Sequence, residues 1–156
     1  MHKATFGAGC FWGVEAAFGA VPGVSSTLVG YTGGTSPNPT YKDVCRGNTG
    51  HAEAVQIEYD PALVSYQELL EVFWSSHNPT TANRHGADIG SQYRSAIFYH
   101  DAAQEEVARM AKETLQNSGR YKTPVVTEIV SAATFYRAEE HHQQYLARRG
   151  RASCHR

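Results

Sequence analysis

A chain of 156 residues, 41% hydrophobic and 19% charged with a formal net charge of −1, has the composition of one soluble globular domain large enough to bury a core without disulfide staples. The balance excludes the basic excess suited to nucleic acid, no apolar stretch approaches membrane-spanning length, and nothing at the amino end resembles a signal peptide. Three widely spaced cysteines, Cys10, Cys45 and Cys154, with no C-x-x-C, argue against a secreted disulfide framework or a zinc ribbon and predict a cytosolic molecule whose thiols are catalytic, redox-sensing or buried.

Lys3 to Ala8 reads as a strand and runs into Gly9-Cys10-Phe11-Trp12-Gly13, after which Val14 to Phe18 reads as a helix. A thiol at a helix start meets unpaired N–H groups and the positive end of the dipole, which lower its pKa and favour the nucleophilic thiolate. Phe11 and Trp12 set two apolar faces beside it, suited to an uncharged, thioether-like substrate. The plainer alternative, a buried structural cysteine in a hydrophobic turn, has about equal weight on this pentapeptide alone.

Val24 to Tyr31 is the second strand, followed by the Gly, Ser and Pro-rich loop Thr32 to Tyr41. Ala52 to Tyr59 is the third, and its alternation puts Glu53 on one face with Val55, Ile57 and Tyr59. Desolvation on an apolar face raises a carboxyl pKa and keeps it able to donate a proton; the alternative is an exposed face, or a pairing with Arg46 or Arg94. Ser65 to Glu68 is a capping box ahead of Leu69, Leu70 and Phe73. The polar loop His77 to Gln92 follows, and long loops of this kind are candidate site walls. Within and just beyond it, Gly86 to Ser95 would leave Asp88 and Tyr93 near the entry of the strand Ser95 to Tyr99. The hydroxyls of Tyr41 and Tyr93 could donate to a polarised oxygen, although most tyrosines merely pack their rings.

Asp101 to Gln104 caps a further helix through Val107 and Met110, Val125 to Ser131 is the last strand, and Arg137 to Leu146 is the third marked helix. The histidines lack metal-binding spacing. His141 and His142 would lie about 100° apart on a helix, and with His77, His85, His100 and His155 they read as surface or capping residues. Residues 148–156 form a mobile tail beyond a catalytic domain of residues 1–147. From Arg149 the tail spans at most ~17 Å to Cys154, a thiol placed to swing onto another sulfur, while Cys45 reads as structural. Strands alternating with helices imply an α/β (α+β) domain, a two-layer sandwich with a mixed open sheet covered by helices.

Taken together, Gly-Cys10-Phe-Trp-Gly, Tyr-Thr-Gly-Gly with Pro-Thr-Tyr41, Thr-Gly-His-Ala-Glu53, His-Asn-Pro-Thr, Gly-x-Asp88-x-Gly-x-Gln-Tyr93-Arg-Ser and Ala-Glu-x-x-His-Gln closely resemble the type A peptide methionine sulfoxide reductases along nearly the whole chain. The resemblance implies a ferredoxin-like fold and reduction of the S epimer of methionine sulfoxide, free or in proteins. It implies attack by Cys10, proton donation by Glu53, an oxygen held by Tyr41, Asp88 and Tyr93, and a methyl group packed by Phe11 and Trp12. Cys154 would then form a disulfide with Cys10 that thioredoxin, the external reductant, reduces. No bound cofactor or metal is implied, and nothing demands more than a monomer. The chain departs from the family pattern at Ala8, where glycine is common, and at His85, where glutamine is frequent. Two other readings compete: a Cys-His acyl-transfer hydrolase and a non-catalytic redox sensor.

Overall fold

A computed structural model describes residues 1–81, 83–85 and 88–148, with residues 84, 85 and 88 as backbone only. In chain order the elements are β1 (His2–Ala8), α1 (Phe11–Gly19), β2 (Val24–Thr32), α2 (Tyr41–Cys45), β3 (Ala52–Tyr59), α3 (Tyr66–Ser75), the short strands β4 (Arg84–His85) and β5 (Asp88–Ile89), β6 (Ser95–Tyr99), α4 (Ala102–Asn117), β7 (Glu128–Ser131), β8 (Tyr136–Arg137) and α5 (Tyr145–Arg148), with 3-10 turns at Ser91–Tyr93 and Glu140–His142.

Six strands form one mixed sheet in the order β7-β6-β1-β3-β2-β8, with β6 and β7 parallel and the other pairs antiparallel. Within it, β1-α1-β2-β3-α3-β6 is a βαββαβ unit with spatial order β6-β1-β3-β2, the ferredoxin-like arrangement. Because β1 is central and covered on both faces, Ala4 to Ala8 are all buried. Helices cover one face, where Phe6 lies 5.1 Å from Phe18 and 5.2 Å from Phe73 between ring centroids. The other face is a smaller layer of Ala52, Ala54, Ala96 and Phe98 under Ala132 and Phe135.

The capping box at Ser65 and Glu68 starts α3 as its sequence predicts. Elsewhere the structure departs from the pattern. The helix expected over Arg137 to Leu146 is instead β8, a 3-10 turn and the short α5. The Gln143 side chain takes both the N–H and the carbonyl of Val29, at 3.0 and 2.9 Å, and Gln144 turns to a φ of 48°. This outcompetes a continuous helix and straps residues 138–145 across β2 and α1. The strand expected from Val125 is β7 and starts only at Glu128, since the N–H groups of Val125 and Val126 are taken by Gln116 Oε1 and the Pro79 carbonyl. Tyr41, expected in a loop, opens α2 under a capping box of Thr40 and Asp43.

Candidate active site

Three chain segments bring the candidate residues Cys10, Glu53 and Tyr93 to one end of the sheet. β1 ends at Ala8, opposite Ser95 at the start of β6, and Gly9 adopts a φ of 92°, which only glycine takes without strain. That turn sets Cys10 as the N-cap of α1, its carbonyl accepting from Val14 N–H, with the residue only 3% exposed. On β3, Glu53 is paired in register with Tyr31 of β2, and both are buried. Tyr93 closes the 3-10 turn just before β6, its N–H donating to the Gly90 carbonyl at 3.0 Å.

The face assigned to Glu53 is the apolar one: Val55, Ile57 and Tyr59 beside it are buried as well. Neither arginine considered as a partner forms an ion pair with it; Arg94 pairs with Glu128 at 3.4 Å and Arg46 with Asp43 at 3.6 Å. Instead, Glu53 Oε1 accepts the backbone N–H of Phe11 at 3.2 Å. The carboxyl therefore binds the first turn of the helix that Cys10 caps, and takes one of the amides a helix start leaves open.

Phe11 and Trp12 form an aromatic wall with Tyr41 and His142. Phe11 lies 6.3 Å from Tyr41 and 5.4 Å from His142, and Tyr41 lies 4.5 Å from His142. Trp12 Nε1–H donates to His142 Nδ1 at 3.0 Å, while its other side stacks on Tyr145 at 3.8 Å. An indole N–H only donates, so His142 Nδ1 must accept and the neutral ring carries its proton on Nε2. Reading His142 as a surface residue is thus corrected: it is buried 130 positions away from its partner, a distance no local pattern reveals. The His141 and His142 rings lie 4.0 Å apart because they sit on a tight turn rather than on a long helix.

Burial, and then the charge of Glu53, hold the Tyr41 hydroxyl well above the usual phenol range; Cys45 and Tyr93 add to the effect. Glu53, Cys45 and Tyr93 are thus each close enough to Tyr41 to act on its hydroxyl. Cys45, read as structural, is exposed at the end of α2. Asp88 opens β5 as backbone paired with His85. Cys154, His155 and the tail from residue 149 onward lie outside the described residues.

Glu139, the acid of the Ala-Glu-x-x-His-Gln motif to which the sequence reading gave no role of its own, takes the Tyr31 hydroxyl on Oε1 at 2.9 Å and the Tyr41 N–H on Oε2 at 3.0 Å. His51, quoted in the Thr-Gly-His-Ala-Glu53 motif without a role, fastens the loop that leads to α2: its Nδ1 accepts Gly34 N–H at 3.0 Å and its Nε2 bonds the Ser36 carbonyl at 2.6 Å. A Cβ on Gly34 would come within 2.3 Å of the His51 backbone nitrogen, so only glycine fits there. A separate cavity of about 520 Å³ along the flank of α1 has Trp12 and Glu15 among its walls but neither Cys10 nor Glu53.

Residues 2–156 match the family model described as peptide methionine sulfoxide reductase. The peptide methionine sulfoxide reductase MsrA of Methanoculleus marisnigri is 60% identical over 99% of this chain and 94% of its own, and that of Geobacter sulfurreducens is 59% identical over 99% and 95%. Among solved structures, Mxr1 of Saccharomyces cerevisiae in reduced form superposes with a TM-score of 0.86 at 36% identity, covering 96% of this chain and 86% of that one. The same yeast protein in complex with Trx2 gives 0.61 at 25% identity, covering 92% and 84%.

Proposed function

The chain belongs to the peptide methionine sulfoxide reductase family, type A, and on that premise we propose that it reduces the S epimer of methionine sulfoxide, free or in proteins, through Cys10 and Glu53. The Cys10 thiolate attacks the sulfoxide sulfur and forms an S–S bond to it while Glu53 protonates the oxygen. The resulting hydroxyl passes to the Cys10 sulfur as the S–S and S–O bonds break, so methionine departs reduced by two electrons and Cys10 is left oxidised to a sulfenic acid. The observation that carries this reading is the 3.2 Å bond from Phe11 N–H to the buried Glu53, which fixes the acid against the nucleophile's own helix. Desolvation favours the protonated form of a carboxyl so enclosed.

Tyr41 and Tyr93 hold the sulfoxide oxygen from the other side, an arrangement supported by the influence that both Glu53 and Tyr93 exert on the Tyr41 hydroxyl. Asp88 joins them on the strength of the family motif, and Phe11 and Trp12 receive the methyl group. Residues 1–147 act as the catalytic domain, and residues 148–156 carry Cys154. Its thiol condenses with the sulfenic acid, releasing water and forming a disulfide that the two thiols of thioredoxin reduce. The complex of yeast Mxr1 with Trx2 supports that reductant. The lack of a basic excess argues against nucleic acid and the three widely spaced cysteines suit the reducing cytoplasm, while the resemblance to the family carries the reading of a monomer with no bound cofactor. Among the described residues no helix is long and apolar enough to cross a membrane.

The test is a single turnover without reductant. Reduced protein and excess S-epimer methionine sulfoxide should give one methionine per chain with loss of two thiols. Cys10→Ser should give none, and Cys154→Ser should give methionine but no disulfide to Cys10. Glu53→Gln should slow methionine formation by about 10²-fold or more, the usual worth of a positioned general acid. Absence of methionine from the wild type would overturn the reading.

A further inference from the structure

We propose that Glu139 is a positioning residue for the reduction, holding Tyr41 against the strand pair that carries Glu53 by gripping Tyr41 and Tyr31 with its two carboxylate oxygens. The inference rests on the reading of Tyr41 as the group that holds the sulfoxide oxygen.

Tyr41 needs such a grip. It is the first residue of a five-residue helix in which only Val44 is buried, so α2 has little packing of its own to fix its place. The capping box binds the N–H groups of Thr40 and Asp43 but leaves that of Tyr41 to find a partner elsewhere. It finds Glu139 Oε2 at 3.0 Å, 98 positions along the chain. Glu139 Oε1 accepts the hydroxyl of Tyr31 at 2.9 Å, and Tyr31 is the register partner of Glu53. The carboxylate thus ties the mobile-prone short helix to the strand pair that carries the acid. Because each oxygen already accepts a protein donor, Glu139 acts through Tyr41 and not on the substrate.

Two further observations agree. Burial pushes the Glu139 carboxyl upward, but the Tyr41 amide, its own amide and the Tyr31 hydroxyl outweigh it and hold the pKa below the ordinary carboxylate value. The clamp is therefore ionised at neutral pH and accepts with both oxygens. Glu139 also belongs to the strap whose other side chains reach the site or its supports: His142 bonds Trp12, and Gln143 pairs with Val29.

The experiment measures the rate of methionine formation in a single turnover, without reductant, for Glu139→Ala, Glu139→Gln, Tyr41→Phe and the double variant Glu139→Ala/Tyr41→Phe, with the folded fraction monitored throughout. Glu139→Ala loses both bonds and should slow the step about tenfold, a modest case of the losses that small misplacements cause. Glu139→Gln keeps one acceptor for Tyr41 and can donate to the Tyr31 oxygen, so it should restore most of the rate. Adding Tyr41→Phe to Glu139→Ala should cost little more, because the hydroxyl is already misplaced. A folded Glu139→Ala that turns over at the wild-type rate while Tyr41→Phe is slow would overturn the clamp alone, as would effects of the two substitutions that multiply independently. A Tyr41→Phe chain as fast as wild type would remove the reading of Tyr41, and the proposal with it. If Glu139→Ala does not fold, Tyr31→Phe releases one arm of the clamp without touching Tyr41 and is read the same way: slowing supports the clamp, and an unchanged rate overturns it.

Discussion

His142 joins stability to pH through one hydrogen bond. Burial, and next the neighbouring His141, push its pKa below the ordinary value of 6.5, while Glu139 pulls it upward and is outweighed. Its Nε2 is buried with no hydrogen-bond partner among the described residues, so a second proton would charge an enclosed ring and take the acceptor from Trp12. As the folded pKa lies below the unfolded one, the unfolded chain takes up the proton first when pH falls. The stabilising contribution is present above about pH 6.5 and is lost as pH drops through the folded value. Urea midpoints measured between pH 7.5 and 5 should therefore fall for the wild type and fall less for His142→Gln; parallel profiles would refute the assignment. Candidate site residues were legible where a side chain breaks its local pattern. Glu53 stands out on an apolar strand face, and Cys10 between two glycines, whereas His142 and Glu139 owe their roles to partners 98 to 130 positions away.

At the level of elements, capping chemistry was only partly read. Ser65 and Glu68 announce α3 because an apolar helical run follows them, but the same reciprocal bonds at Thr40 and Asp43 precede only five residues. Thr40→Ala should lower stability by about 1 kcal/mol, seen as a lower urea midpoint at unchanged slope, and should slow methionine formation because α2 carries Tyr41. Restored rate and stability in Thr40→Ser would identify the cap as the cause. The segment 137–146 looks helical from its composition. Yet Gln143 bonding to β2 is a tertiary contact, and tertiary contacts override local preference. The short β7 has a similar origin, since side-chain and loop partners take the amides of Val125 and Val126 before the sheet can.

Across the whole molecule, the alternation of strands and helices was enough to indicate a two-layer α+β domain. The order of strands was not readable locally, because it depends on which apolar faces meet. Phe6 shows why the arrangement holds: it sits on the central strand with no exposure, between Phe18 of α1 and Phe73 of α3. Phe6→Ala should cost about 3–5 kcal/mol, a large part of the roughly 5–15 kcal/mol that holds a domain folded; a loss below about 1 kcal/mol in denaturant unfolding would refute this packing role.

Cys10, the proposed nucleophile, is almost wholly enclosed, with 3% of its surface open. In that role it meets only the tip of an outstretched side chain, while the backbone of the client stays outside. An oxidised methionine in the interior of a folded client is out of reach until that client opens locally. Repair of such a residue therefore proceeds at a pace set by the breathing of the damaged protein, and lesions on loops and termini are mended first.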